Sequence, residues 1–186
     1  MRVAIVGGPG IGKSTLVRQL GDLYHHGSYG EGEKGVWDPR VLEDIEAGRN
    51  PIGVTAYFAW LYDANYRDAA GHDAPDKVIF FEGARITLEA HIPEYPAQYH
   101  DELRKVLAVG DAWAPDRTIV LTSSTDTIDK HIRLRNRPHE TADNMSICAI
   151  RTSRPYFWRS AGAKLFAADA IHVACLMIPA SMSSPR

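Results

Sequence analysis

The sequence is short of cysteine: Cys148 and Cys175 are its only two. They have neither metal-ligand spacing nor the density of a disulfide scaffold, which points to a reducing compartment and two ordinary thiols. Long apolar runs are also missing. The first, "VAIV" at Val3–Val6, meets a glycine-rich turn at once and is too short for a signal-peptide core. No stretch approaches the roughly 20 apolar residues of a membrane span, so the expectation is a soluble, cytoplasmic chain without a membrane partner. Positive charge is not in excess either. Lys and Arg number 21 against 23 Asp and Glu, a formal net charge of −2, so no global field draws the chain onto nucleic acid. Repeats, low-complexity blocks and linker composition are absent as well, and 186 residues at 45% hydrophobic make one sizeable core and one domain, 1–186.

What is present alternates between two patterns. Val3–Val6, "KVIFFEG" (Lys77–Gly83) and "RTIVLTS" (Arg117–Ser123) are short runs of β-rich apolar residues, as in strands buried on both faces of a parallel sheet. Between them lie helical signals. Leu16, Val17, Leu20 and Leu23 share a face from Lys13 to about Tyr24. Asp38-Pro39 is an N-cap followed by proline at the first helical position, opening a short helix that closes at Gly48. Pro51–Ala70 holds Tyr57, Phe58, Trp60, Leu61 and Tyr62, too apolar for an exposed helix, and is expected against the sheet. "STDTIDKHIRLRNR" reads as a helix capped by Ser124 or Thr125, with Ile128 and Ile132 on one face. The segment between His25 and Arg40, with Gly27, Gly30, Gly32 and Gly35, reads as a loop. "AIHVACLMI" fits a last strand or a short buried helix, and 179–186 a frayed tail. Strand and helix alternation predicts an α/β fold: a three-layer sandwich with a parallel sheet flanked by helices.

Three stretches carry chemistry. "GGPGIGKST" fits the phosphate-loop pattern G-x-x-x-x-G-K-[ST], with Gly7, Gly12, Lys13 and Ser14 in the fixed places. Gly8, Pro9, Gly10, Ile11, Gly12, Lys13, Ser14 and Thr15 would wrap the phosphates of ATP, where amides point inward and a helix N-terminus adds its dipole. Lys13 would bridge the β- and γ-phosphates, and the Ser14 hydroxyl would ligate Mg²⁺. The second stretch is "VIFFEG", an apolar strand ending in Glu82 beside that loop, placed to hold Mg²⁺ directly or through water; a helix-capping acid is the other reading. Arg85, three residues on, could reach a transferring phosphate. The third is "RLRNRPHE", in which Arg133, Arg135 and Arg137 alternate. At a helix end such residues suit a lid, about 133–142, that neutralises charge on the phosphoryl group in flight. Between Lys130 and Lys164 there are eight Lys or Arg and only two acids, Glu140 and Asp143, a local basic patch through which DNA is a second candidate partner.

The order of these parts resembles the P-loop nucleoside and nucleotide kinases: phosphate loop, glycine-rich acidic loop with Trp37, aromatic helix, strand ending in an acid, arginine-rich lid. The likeness is greatest to the deoxynucleoside kinase and thymidylate kinase branch. It implies a phosphotransferase using ATP and Mg²⁺, with a Glu shortly before a Trp acting on the acceptor hydroxyl, matched here by Glu31 or Glu33 before Trp37. It also matches the strand acid to Glu82 and the lid to Arg133, Arg135, Arg137 and Glu140. Two departures stand out. The acid-Arg pair of that family is "EGAR" here, and the aromatic helix lacks the glutamine with which the family reads a base. Chemistry independent of family asks for one carboxylate to orient or deprotonate a hydroxyl, and Glu31, Glu33 and Asp38 are the candidates. Trp37, Tyr57 and Trp60 are candidate substrate contacts, with core packing as the alternative for most of the aromatic run.

The leading expectation is therefore a kinase that phosphorylates a hydroxyl of a deoxynucleoside or deoxynucleoside monophosphate; a homodimer is compatible with it. A second is a kinase of a hydroxymethylated pyrimidine in DNA, as in pathways to hypermodified phage bases. A third, of another class, is a nucleotide-dependent switch or ATPase without an acceptor.

Overall fold

β1 (Arg2–Gly7) is the central strand, and its alternating side chains sort the core into two faces. In the computed structural model, which describes residues 1–24, 27–32, 37–72, 76–109, 115–135, 164–168 and 171–176, Ala4 and Val6 point one way and Val3 and Ile5 the other. All four are buried, as a period of two demands of a strand covered on both sides.

Four strands run parallel. β1 pairs with β3 (Ile79–Glu82) on one side and β4 (Arg117–Thr122) on the other, and a two-residue β2 (Ser28–Tyr29) adds to β3. β2 lies inside the segment expected to be loop throughout; two residues are too few to show a strand pattern. Beyond β4 the sheet continues with β6 (Ile171–Leu176) and β5 (Lys164–Ala168), both antiparallel, giving the order β2-β3-β1-β4-β6-β5. The parallel sheet is thus extended by an antiparallel pair of strands, and the described part of "AIHVACLMI", Ile171–Leu176, forms a strand. Cys175 stands on β6 opposite Ile119; Cys148 lies outside the described residues.

The helices form the outer layers. α1 (Lys13–Tyr24) and α6 (Thr125–Arg135) cover the face of Val3 and Ile5: Val17, Ile128 and Ile132 pack there with Phe80 and Leu121. Ser124 is the α6 cap, its Oγ accepting from Thr127 N at 3.2 Å. α3 (Pro51–Ala70) covers the other face, with Tyr62, Tyr66 and Ala69 against Ala4, Val6 and Phe81. Phe81 is stacked between Tyr66 (centroids 4.0 Å) and Tyr29 (5.2 Å). α2 (Pro39–Glu46) starts as expected, Asp38 accepting from Arg40 N at 2.9 Å. α4 (Arg85–His91) and α5 (His100–Ala108) form the crossover from β3 to β4, and Ile92, Leu103 and Leu107 join them to α3 in a third cluster.

This order sets where a ligand can go. From β1 the chain moves to the β2–β3 side, then returns past β1 to β4, so the strands diverge at the carboxyl end of β1. Open parallel sheets bind ligands in the crevice at such a switch point. No helix among the described residues is long and apolar enough to cross a membrane.

Candidate active site

The phosphate loop leaves β1 at that switch point and ends at α1. Leu16 N bonds back to Gly12 O at 3.0 Å, so the amides of the first turn, residues 13–15, point out of the helix end. Helix N-termini hold anions through their free N–H groups and the positive end of the dipole. The loop rests on α6. At Gly10 the backbone has φ +73°, and a Cβ would lie 2.8 Å from Ile132 Cγ1 and 3.3 Å from Ile128 O. Only glycine meets both demands. One turn of α6 also reaches the loop by a side chain, His131 Nδ1 donating to Gly10 O at 3.1 Å. Ile11 is buried in the α1-side core, and Lys13 Nζ folds back to donate to Gly8 O at 3.1 Å.

Period-two alternation brings Glu82 to the same place. Ile79 and Phe81 of β3 face α3, so Phe80 and Glu82 face α1. Glu82 lies beside Ile5 of β1, and Ser14 Oγ donates to Glu82 Oε1 at 2.8 Å. A hydroxyl and a carboxylate in contact form a hard oxygen donor set. Among the described residues no group of three or more His, Cys, Asp and Glu could hold a metal. Mg²⁺ keeps several waters and takes one or two protein oxygens beside substrate phosphates. Ser14 and Glu82 therefore fit the ion expected of a phosphate loop.

Glu31 comes to the same carboxylate from the loop after β2. Its amide donates to Glu82 Oε2 at 3.4 Å, its carbonyl accepts from Trp37 Nε1 at 3.2 Å, and its Oε1 accepts from the Tyr62 hydroxyl. Burial pushes the Glu31 carboxyl above the usual carboxylate range. Lys13 pulls it down, Glu82 pushes it further up, and the Tyr62 hydrogen bond and His91 also lower it. Burial together with Glu31 raises Tyr62 well above an ordinary phenol, so its hydroxyl stays a donor. His91, at the end of α4, is itself held by Glu94, Nδ1 to Oε2 at 2.8 Å.

The other expected site residues divide. Trp37 packs edge-on against Phe58 (5.2 Å, 87°) and so joins the cluster around Glu31, while Tyr57 contacts Phe58 (5.5 Å) and Trp60 (6.2 Å). Trp60 is 60% exposed; two residues from both Phe58 and Tyr62, it lies on the far side of α3 from them. Arg85 opens α4 and its Nε donates to Glu89 at 2.8 Å, along its own helix. Asp38 is occupied as the α2 cap. Thr15 is exposed at the start of α1, and Arg133 is exposed on α6, whose last residue is Arg135. Glu33, Arg137, Glu140, the lid beyond 135 and the tail 179–186 lie outside the described residues. Sequence reasoning placed Tyr62 in the aromatic helix expected against the sheet and did not single out His91 or His131. None of the three carried a sequence signal of its place beside Glu31 or the loop, since those contacts come from packing.

No family model matches the sequence, and no curated protein matches it. Among solved structures the chain is similar to deoxyadenosine kinase from M. mycoides with the products dCMP and a flexible dCDP bound. Identity is 16%, 87% of this chain and 85% of that one are covered, and the TM-score is 0.66. A structure of that enzyme with bound dATP is likewise 16% identical, covering 87% of this chain and 86% of that one, with a TM-score of 0.65. The parallel strands, the flanking helices and their order thus make this an α/β fold similar to that of deoxyadenosine kinase.

Proposed function

We propose that this chain is a phosphotransferase that moves the γ-phosphate of ATP to a hydroxyl of a deoxynucleoside or deoxynucleoside monophosphate. One observation carries the reading. Lys13 and Ser14 at the start of α1, Glu31 after β2 and Glu82 at the end of β3 come from three separate parts of the chain and interact at the carboxyl end of β1, in a fold shared with deoxyadenosine kinase.

The division of labour follows from the contacts. The phosphate loop and first-turn amides hold the triphosphate, and the Lys13 ammonium neutralises its β- and γ-oxygens. Mg²⁺, held by Ser14 and Glu82, supplies further charge neutralisation when bound. Glu31 is the base: it takes the proton of the acceptor hydroxyl as that oxygen bonds to the γ-phosphorus. The bond from phosphorus to the β,γ-bridging oxygen breaks, and ADP leaves with the electron pair. Trp37, anchored through its indole nitrogen to the Glu31 carbonyl, and Phe58 offer ring surface beside that base.

The test is transfer from γ-labelled ATP with Mg²⁺ to three acceptor pools: the four deoxynucleosides, their monophosphates, and duplex DNA containing hydroxymethylated pyrimidines. Label in one of the two free pools is expected and names the acceptor class. Label in DNA alone makes the chain a base-modifying kinase, and hydrolysis of ATP without labelling any pool makes it a nucleotide-dependent switch.

A further inference from the structure

The residue after Glu82 is Gly83, where the resembled kinases carry arginine, and the structure gives that glycine a task. Its φ is +82°, and a Cβ there would sit 2.5 Å from three atoms of the Tyr62 ring, Cε1, Cζ and the hydroxyl oxygen. The Tyr62 ring thus lies directly against the backbone past the strand acid, in space that any side chain at 83 would fill. Tyr62 is 2% exposed and packs with Phe58 (6.4 Å) and the α3-side core, so its position is fixed by burial on α3. From there the hydroxyl reaches Glu31 Oε1.

We propose that Tyr62 is a positioning residue for phosphoryl transfer: admitted by Gly83, its hydroxyl holds the Glu31 carboxylate in the orientation that receives the acceptor proton. The inference rests on the reading of Glu31 as the base. Glu31 comes from a loop, and a loop carboxylate samples many rotamers unless it is tied. Trp37 and Glu82 tie its backbone, and the hydrogen bond from Tyr62 holds the carboxylate itself. A carboxylate pinned at one oxygen presents the other in a defined direction, which a proton transfer at hydrogen-bond range requires. Tyr62 also answers the departure in the sequence. Directly after Glu82 the chain carries glycine rather than arginine, and a neutral donor, the Tyr62 hydroxyl, meets Glu31.

The test is a double-mutant cycle on the full chain, with ATP, Mg²⁺ and whichever of the four deoxynucleosides the unmutated protein phosphorylates fastest. Tyr62→Phe is expected to lower kcat on the order of 10- to 100-fold, with the KM for ATP changed less than about 2-fold. In the Glu31→Gln background the same change is expected to cost less than about 2-fold, because the group it positions is gone. Unchanged kcat in Tyr62→Phe, or an equal loss in both backgrounds, would overturn the positioning role while leaving Glu31 as base. Wild-type kcat in Glu31→Gln alone would overturn the base assignment and the proposal with it. Retained ATP binding and a melting temperature within a few degrees show that the Tyr62→Phe variant is folded.

Discussion

Ser14 Oγ donates to Glu82 Oε1 across 2.8 Å, joining the first turn of α1 to the last residue of β3. Sixty-eight residues separate the two in sequence. In the proposed reaction the pair shares one ion. Glu82→Gln is expected to raise the Mg²⁺ concentration for half-maximal activity by about 10-fold, and Ser14→Ala by a similar factor. The double variant should fall short of the product of the two, since both remove the same ligation. An Mg²⁺ titration of transfer checks this; a curve unmoved by Glu82→Gln would return Glu82 to a structural hydrogen bond with Ser14.

Lys13 reaches from α1 back to Gly8 O, within the loop rather than into the core. Lys13→Ala should therefore leave the melting temperature within a few degrees while lowering kcat on the order of 100-fold or more, because the charge on the transferring phosphoryl loses its cation. Near-normal turnover would remove the phosphate-loop assignment.

The raised ionisation of Glu31 sets two pH effects. Only the carboxylate takes a proton, so the acid limb of kcat/KM should lie above the ordinary glutamate value, and the residual activity of Glu31→Gln should lack that limb. Stability runs the other way. Burial favours the protonated form in the folded state, so the folded pKa exceeds the unfolded one. Stability from this group is then fully present below the unfolded value of about 4.3 and is lost as pH rises through the folded value. Thermal melts should show Glu31→Gln gaining on the parent as pH rises from 4 to 8. A constant difference across that range would mean that Glu31 ionises as an ordinary surface acid.

Gly83→Ala places a methyl against the Tyr62 ring and a side chain at φ +82°. The backbone strain alone costs about 1–2 kcal/mol, and displacing a buried aromatic adds to it. The expected result is a melting temperature lower by several degrees together with reduced kcat. The control is Gly48→Ala, also at positive φ (+60°) but with open space around the site. It should destabilise by strain alone and leave kcat unchanged.

Much of this arrangement was legible in residues close in sequence. β1, α1, α3 and α6 begin and end near where their apolar periods and caps predicted, and "GGPGIGKST" announced the loop between the first two. Glu82 was legible as a strand end beside that loop, and alternation along β3 fixes the face it occupies. The antiparallel pair β5–β6 was not: a short apolar run carries no mark of strand direction, which depends on the partner. Nor was the outward position of Trp60, an apolar residue in an apolar helix. Its place follows from which face of α3 meets β3.

The sequence by itself determined a glycine-rich loop of phosphate-loop pattern between a strand and a helix, an acid at the end of a second strand, and an α/β order of elements. These follow from local chemistry: the conformations glycine allows, the periods of two and 3.6, and the caps. Only the tertiary structure decided that Glu31 meets Tyr62, that Trp37 anchors its carbonyl, and that Gly83 is glycine so that a ring from α3 can lie against β3's end. Those contacts join residues 31 and 62, 37 and 31, and 83 and 62, and no local rule relates them. They exist because the sheet order brings the ends of β1 and β3 together and α3 packs across them.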